Sequence, residues 1–312
     1  MSLEQKKPHD KIVAVFVTMN RYETALTCLD RLIAQSRPPE SVLIVDNASL
    51  DSTKEQIHVW AEQHPTLPVK ILPFTENLGN AGGMEIAVSL AFEEGADSVW
   101  ILDDDSWPAP EALAALTEME CPSPAIRSSL VLDPATSYLS WPLQIRSANH
   151  WKTLAGSEKL PEADCFEVRR AWLGALIPRE IYAATGKIDG RLFLRGEDEE
   201  YPRRIEENGY QTFVCKSSVL HHPPSGALMR IKFFNVIVVL EKDLKPNNLY
   251  YRLRNQWWLT KRSRGPHIAF LQALIHLFLL ARDDRNFSAA IQIWRESLVD
   301  CFRNKLGPRK IS

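Results

Sequence analysis

No run of apolar residues in this sequence is long enough to span a bilayer: the longest, Ile268 to Ala281, is interrupted by Gln272 and His276 and falls short of the ~20 residues a spanning helix needs. Cysteine is scarce. Cys28, Cys121, Cys165, Cys215 and Cys301 are odd in number and far apart, with no C-x-x-C pair, which argues against a zinc knuckle or dithiol site and for a reducing compartment. The first ten residues, Met1 to Asp10, are polar and charged and offer no signal-peptide core, so the sequons at Asn47-Ala-Ser49 and Asn286-Phe-Ser288 are read as chance. Glycine, at 13 residues, forms neither a dinucleotide fingerprint nor a P-loop. Internal repeats and low-complexity tracts are also missing. These absences leave a globular protein expected in the cytoplasm, either free or peripheral at the inner face of the cell membrane.

What is present suits a large α/β fold. A chain of 312 residues with 45% hydrophobic content can bury a sizeable core. Four short β-branched runs, Ile12 to Thr18, Val42 to Asp46, Val69 to Leu72 and Val99 to Leu102, read as buried strands. Helical patterns lie between them, with Ala25, Leu26, Leu29, Leu32 and Ile33 on one face and similar patterns over Thr53 to Gln63 and Gly82 to Glu94. That alternation implies βαβ units and a parallel sheet, whose ligands bind outside the carboxyl ends of the strands. Thr18-Met-Asn20-Arg21, Asp46-Asn47, Asn77-Leu-Gly79-Asn80 and Asp103-Asp104-Asp105 all fall at such ends. Pro122 to Asp164 has no sustained period and is read as irregular extended segments lining an acceptor cleft. Pro-Pro-Ser-Gly after His222 marks a boundary, and from Asn248 the pattern turns helical, with Ile291, Trp294, Leu298 and Phe302 forming one apolar stripe. From Lys242 to Ser312 there are 14 Lys/Arg against 5 Asp/Glu, so the tail is about +9 and the rest about −11. The acidic part should hold a cation and the basic part face an anion. No reading motif for nucleic acid accompanies the basic residues.

Three adjacent carboxylates at Asp103, Asp104 and Asp105 repel one another unless positive charge lies among them. On an extended segment residues i and i+2 point the same way, so Asp103 and Asp105 can reach one cation while Asp104 faces elsewhere. Hard oxygen ligands favour magnesium or manganese; the plainer reading is an acidic turn capping the next helix. Arg195-Gly-Glu197-Asp198-Glu199-Glu200-Tyr201 offers carboxylates for helix capping or for deprotonating a hydroxyl. The pair His221-His222 is either loop or metal ligand. Asn77-Leu-Gly79-Asn80-Ala-Gly82-Gly83 is a turn that lets backbone or a nucleotide approach closely.

In this order the motifs resemble the inverting family 2 glycosyltransferases, in their galactofuranosyl- and rhamnosyltransferase-like branch, over roughly Lys11 to Gly226 and more weakly at Tyr250-Tyr-Arg-Leu-Arg254-Asn255. The resemblance implies a GT-A domain of residues 1–240 and a C-terminal helical extension of residues 241–312. It implies a manganese or magnesium ion held by Asp103, Asp105 and His222, the last chosen over His221 because it follows Asp198 by 24 residues. It implies Asp198 as the catalytic base. The expected donor-binding set is Thr18, Asn20, Arg21, Asp46, Asn77, Gly79, Asn80, Gly83, Asp104 and Trp172. The expected donor is UDP-galactofuranose, then dTDP-rhamnose, and the acceptor a glycan or lipid-linked hydroxyl; peripheral membrane contact through the extension and homo-oligomer formation are further expectations. Two positions depart from the family: Leu173 stands where galactofuranosyltransferases carry a second tryptophan, and Pro202 shifts where the helix after Asp198 can begin. The rival reading is a non-catalytic nucleotide-sugar-binding or assembly protein. A nucleotidyltransferase is disfavoured because no glycine-rich, Arg-containing loop follows the first strand.

Overall fold

The computed structural model describes residues 10–224, 226, 228–233, 236–242, 244–283 and 287–309. The polar start before Asp10 and Asn286 of the second sequon lie outside them. Two compact units are distinguished: one of the described residues up to Glu76 with Ile86–Lys187 and Pro202–Pro223, the other of Asn77–Glu85, Ile188–Tyr201 and the described residues from Pro224 onward.

The first unit holds an eleven-stranded sheet. Its strands are β1 (Ile12–Thr18), β2 (Ser41–Asp46), β3 (Val69–Pro73), β4 (Ser98–Ile101), β5 (Trp107–Pro108), β6 (Ile126–Leu132), β7 (Leu143–Ser147), β8 (His150–Leu154), β9 (Cys165–Arg169), β10 (Ala175–Pro178) and β11 (Thr212–His221). The order β3-β2-β1-β4 is parallel, as the alternation of strands with the helices α1 (Tyr22–Ile33), α2 (Thr53–Gln63) and α3 (Gly79–Glu93) requires. Every residue of β1 is buried, so this run rich in β-branched residues has apolar surroundings on both faces. Ala25, Cys28, Leu29 and Leu32 form the buried face of α1, in a cluster with Phe16, Ile44 and Trp100.

Beyond β4 the sheet is mixed. β10 runs antiparallel to both β4 and β6, β6 pairs β11 in parallel, and β9, β7 and β8 follow as antiparallel neighbours. The stretch read as irregular, Pro122 to Asp164, is thus ordered into β6, β7 and β8. Its strands are specified by distant partners rather than by a local period: Ile145 of β7 faces Val168 of β9, and both join a small separate core with Leu130, Leu154 and Val214.

Helices α4 (Ala112–Glu118) and α5 (Arg179–Thr185) complete this part of the chain, followed by α6 (Glu197–Glu207). Pro202 lies inside α6 rather than ahead of it. The expected shift of the helix start is therefore corrected: Glu199 and Glu200 already donate to the Gly196 carbonyl, so the first turn closes upstream of the proline. Proline removes only the N–H that would have reached Asp198.

In the second unit a hairpin of β12 (Leu228–Phe233) and β13 (Val236–Glu241) precedes three helices, α7 (Pro246–Arg264), α8 (Pro266–Ala281) and α9 (Phe287–Phe302). Leu249, Leu253, Trp257, Ala273, Leu280, Ile293 and Cys301 share its core. Among the described residues no helix is long and apolar enough to cross a membrane.

Candidate active site

Register collects the polar residues of the first unit. Parallel pairing sets Thr18 beside Asp46 at the carboxyl ends of β1 and β2. Leu102 donates to the Val15 carbonyl, so the chain leaves the same edge of the sheet as Asp103-Asp104-Asp105. Asp46 is 3% exposed, and its Oδ1 accepts from the Ser49 N–H at 3.1 Å across a turn in which Ala48 has φ +63°. Asn20, at φ +54°, is held there too: its N–H donates to Ser49 Oγ, and its Oδ1 accepts from the Leu50 N–H at 2.7 Å. Two non-glycine residues in the left-handed region beside one strand edge is strain of the kind that binding loops carry.

The three adjacent carboxylates divide, but on a turn rather than on the extended segment expected: β4 ends at Ile101, and the Ser106 N–H donates to the Asp103 carbonyl at 3.0 Å. Asp104 turns inward, where its two oxygens accept from Thr18 Oγ1 at 2.9 Å and from Arg21 at 2.8 Å. Burial pushes its pKa up to about 6, partly opposed by the Arg21 charge and reinforced by Asp105. Asp103 and Asp105 turn to His222, whose Nε2 lies 3.0 Å from Asp105 Oδ1 and 4.0 Å from Asp103 Oδ2. Burial works to raise Asp105, but hydrogen bonds from His222 and Arg21 override it and hold the carboxyl well below the usual range. The Cys28 thiol, buried behind this turn, is pushed up by desolvation and then by the three carboxylates.

His222 reaches the site through the sheet. β5 and β11 pair antiparallel with Trp107 opposite His221, and one further step brings the next residue toward Ser106, beside Asp105. The Ser140 hydroxyl donates to the His222 carbonyl at 2.7 Å, and the Trp141 ring packs on the imidazole with centroids 4.8 Å apart. His222 Nδ1 is 2.6 Å from the Pro223 carbonyl. An Nδ1–H donated to that oxygen leaves Nε2, on the carboxylate side, to carry a second proton or a metal ion. Ligand atoms of Asp103, Asp105 and His222 lie within 4.8 Å of one another, and two carboxylates with one imidazole are donors that magnesium and manganese accept. His221 is not in this group. Trp172, expected against a sugar, is only 8% exposed; Leu173, equally buried, belongs to the main core.

In the second unit the glycine turn and the acidic stretch meet each other. Gly79, at φ +71°, faces the Phe193 carbonyl so closely that a Cβ there would lie 1.9 Å from its oxygen; only glycine fits. Asn77 Oδ1 accepts from the Gly79 N–H at 2.7 Å, Ala81 donates to Phe193, and Asn80 Nδ2 donates to Glu197 Oε1 at 2.9 Å. Gly83 is buried in the first turns of α3. The turn it meets has Phe193, Arg195 and Gly196 at φ +66°, +64° and +105°, three left-handed residues in four. Asp198 follows. Glu197 and Glu200 are buried and Asp198 is exposed, so of the four acids it is the one most open to a reactant. Its Oδ1 accepts from the Gly196 N–H at 3.0 Å.

Sequence reasoning missed what holds this turn. Asn255 Nδ2 donates to the carbonyls of Leu192, Leu194 and Arg195, and Arg254, 1% exposed, donates to Leu192 and to Gly307. The signal was the Tyr-Tyr-Arg-Leu-Arg-Asn run at 250–255, quoted for likeness and given no role. Trp141 was missed as well, inside a segment lacking any period.

Comparison with known proteins fits this geometry. The family described as Glycosyl transferase family 2 matches residues 13–121. The chain is 33% identical over 224 residues to galactofuranosyltransferase GlfT1 of Mycobacterium tuberculosis, covering 69% of this chain and 70% of the relative. It is 26% identical over 228 residues to the N-acetylglucosaminyl-diphospho-decaprenol L-rhamnosyltransferase of the same organism, covering 62% and 71%. Among solved structures it is similar to the mannosyltransferase PcManGT from Pyrobaculum calidifontis, in complex with GDP-Man and Mn2+, with TM-score 0.55 and 18% identity over 96% of this chain and 83% of that one.

Proposed function

The chain belongs to the family 2 glycosyltransferases, with the GT-A fold, and from that premise we propose that it transfers galactofuranose from UDP-galactofuranose, with inversion and with a divalent cation, to a hydroxyl of a lipid-linked glycan. The observation that carries this reading is the convergence of Asp103, Asp105 and His222 at the strand edge that also holds Thr18 and Asp46. The galactofuranose assignment draws on the 33% identity to GlfT1, and the lipid-linked acceptor on the diphospho-decaprenol in the name of the rhamnosyltransferase relative.

Thr18, Asn20 and Asp46 hold the nucleoside end, on the strained loops that Ser49 ties together. Asn77, Gly79, Asn80 and Gly83 bring backbone close to the donor, and Trp172 orders the segment beside its sugar. Asp104 fixes Arg21, whose guanidinium also bonds Asp105 and, 45% exposed, keeps a face toward the donor phosphates. A manganese or magnesium ion held by Asp103, Asp105 and His222 would supply positive charge to the departing diphosphate. Asp198 accepts the proton of the acceptor hydroxyl as its oxygen bonds to the anomeric carbon, on the face opposite the breaking bond to diphosphate. Inversion follows from that single displacement.

The second reading, dTDP-rhamnose as donor, is favoured by Leu173, which is packed into the core where the galactofuranosyltransferases carry a tryptophan. Turnover and thermal shift with UDP-galactofuranose and dTDP-rhamnose in the presence of manganese test both, since a ligand of the native state raises its melting temperature. Preference for the rhamnosyl donor would replace the first reading, and inertness toward every nucleotide sugar would favour the non-catalytic rival.

A further inference from the structure

We propose that α8, with the C-terminal end of α9, is a docking face for an anionic lipid bilayer. Helix α8 has no charged residue in its 16 positions. One side of it, Ala269, Gln272, Ala273, His276, Leu279 and Leu280, is buried. A helix covered on one side only is expected to be polar on the other. Instead Phe270, Leu274 and Phe278 stand 46%, 43% and 52% exposed. Spaced i, i+4, i+8, they make one stripe about 12 Å long. Phe302 of α9, itself 38% exposed, extends it, with its ring edge-on to Phe270 at 6.4 Å, and Val299 is exposed one turn earlier. A continuous apolar patch on a surface helix marks an interaction site.

Charge selects the occupant. The Lys261 ammonium lies 5.5 Å from the Phe302 ring, and the Arg282 guanidinium 5.5 Å from Phe278, so a cation stands at each end of the stripe. Of the six Lys/Arg from Pro246 to Arg282, Arg254 is buried, Arg262 pairs with Glu200 and Lys261 bonds the Cys301 and Phe302 carbonyls, while Arg264 and Arg282 stand exposed at the two ends of α8. The acids of α9 are engaged: Glu296 with Arg309, and Asp300 with Tyr250 and Lys305. A second copy docked about a two-fold axis would set these cations against their own kind, whereas anionic headgroups neutralise them while the acyl region takes up the phenylalanines. At 16 residues α8 is about 24 Å long, shorter than the ~30 Å hydrocarbon core, and lies in the interface rather than across it.

The test is flotation of the purified full-length protein with vesicles of phosphatidylcholine alone or with phosphatidylglycerol, at low and high salt. Wild type should float with the anionic vesicles at low salt, much less at high salt and not with neutral ones. The exposed-site triple variant Phe270→Ser, Leu274→Ser, Phe278→Ser should lose at least tenfold in vesicle affinity with its circular dichroism and melting temperature retained. Arg264→Gln with Arg282→Gln should weaken binding severalfold and flatten the salt dependence. Failure of wild type to float, or equal flotation of the triple variant, overturns the proposal. Sedimentation velocity supplies the other arm: a dimer that the triple variant dissociates would assign the stripe to self-association instead.

Discussion

Two groups of carboxylates in this molecule are held by opposite means. Asp104 and Asp105 are kept in place by charge: Arg21 bridges both, and His222 faces Asp105 at 3.0 Å. Asp198 is kept in place by backbone. Its turn runs through three left-handed residues, and the groups that fix it are the neutral amide of Asn255 on three carbonyls and the buried guanidinium of Arg254. A site assembled from like charges is an electrostatic device, sensitive to whatever cation or proton enters it. A turn stitched by donors from a distant helix is a geometric one, sensitive to the scaffold behind it.

The sharpest way to break the comparison is to remove one charge from the first group. Asp105→Ala is expected to lower turnover roughly 10⁴-fold, about 5 kcal/mol of transition-state stabilisation, and to weaken donor binding with it. Excess EDTA should do the same to wild type, and full turnover in EDTA would remove the cation from the mechanism. Asp198→Asn comes next, with a fall on the order of 10²–10⁴ in turnover and donor affinity by calorimetry left unchanged. A parallel loss of donor affinity would place Asp198 among the donor-phosphate or metal ligands.

Asn255→Ala separates geometry from charge. It touches no reactant, yet loss of its three hydrogen bonds should cost about 1–3 kcal/mol of stability and lower kcat some 10- to 100-fold with KM for the donor little changed. If kcat is unaffected in the folded variant, the left-handed turn is rigid without its support. The last effect concerns pH and leaves turnover aside. Burial lowers the His276 pKa to about 4, below the ~6.5 of an unfolded chain. Its Nδ1 lies 3.0 Å from both Trp257 Nε1 and the Gln272 carbonyl and its Nε2 3.2 Å from the Val239 carbonyl; accepting the indole N–H at Nδ1 requires the neutral ring. A depressed folded pKa means the unfolded state binds the proton first, so stability is full above pH ~6.5 and falls toward pH 4, by up to roughly 3 kcal/mol. Chemical denaturation at pH 7 and pH 5 checks this, and His276→Gln should flatten the slope.

The sequence by itself determined the parallel half of the sheet, because short apolar runs rich in β-branched residues and bounded by helical periods admit few other arrangements. It pointed to a division of labour within Asp103-Asp104-Asp105, although the segment that turns Asp103 and Asp105 to His222 is a turn closed on the Asp103 carbonyl and not an extended chain. It also pointed to Gly79, where a glycine turn entering a helix announces a close approach. Only the tertiary structure decided the rest. The resemblance already chooses His222 over His221, but the physical reason lies in the β5–β11 register, where a shift of one residue would exchange them. Trp141 becomes part of the site through β-strands whose partners lie far along the chain. Asn255 supports a turn some 60 residues earlier, and the positive φ of Phe193 and Arg195 is invisible in residue types that ordinarily avoid it. Such features depend on long-range hydrogen bonds, whose partners a local pattern of side chains does not record.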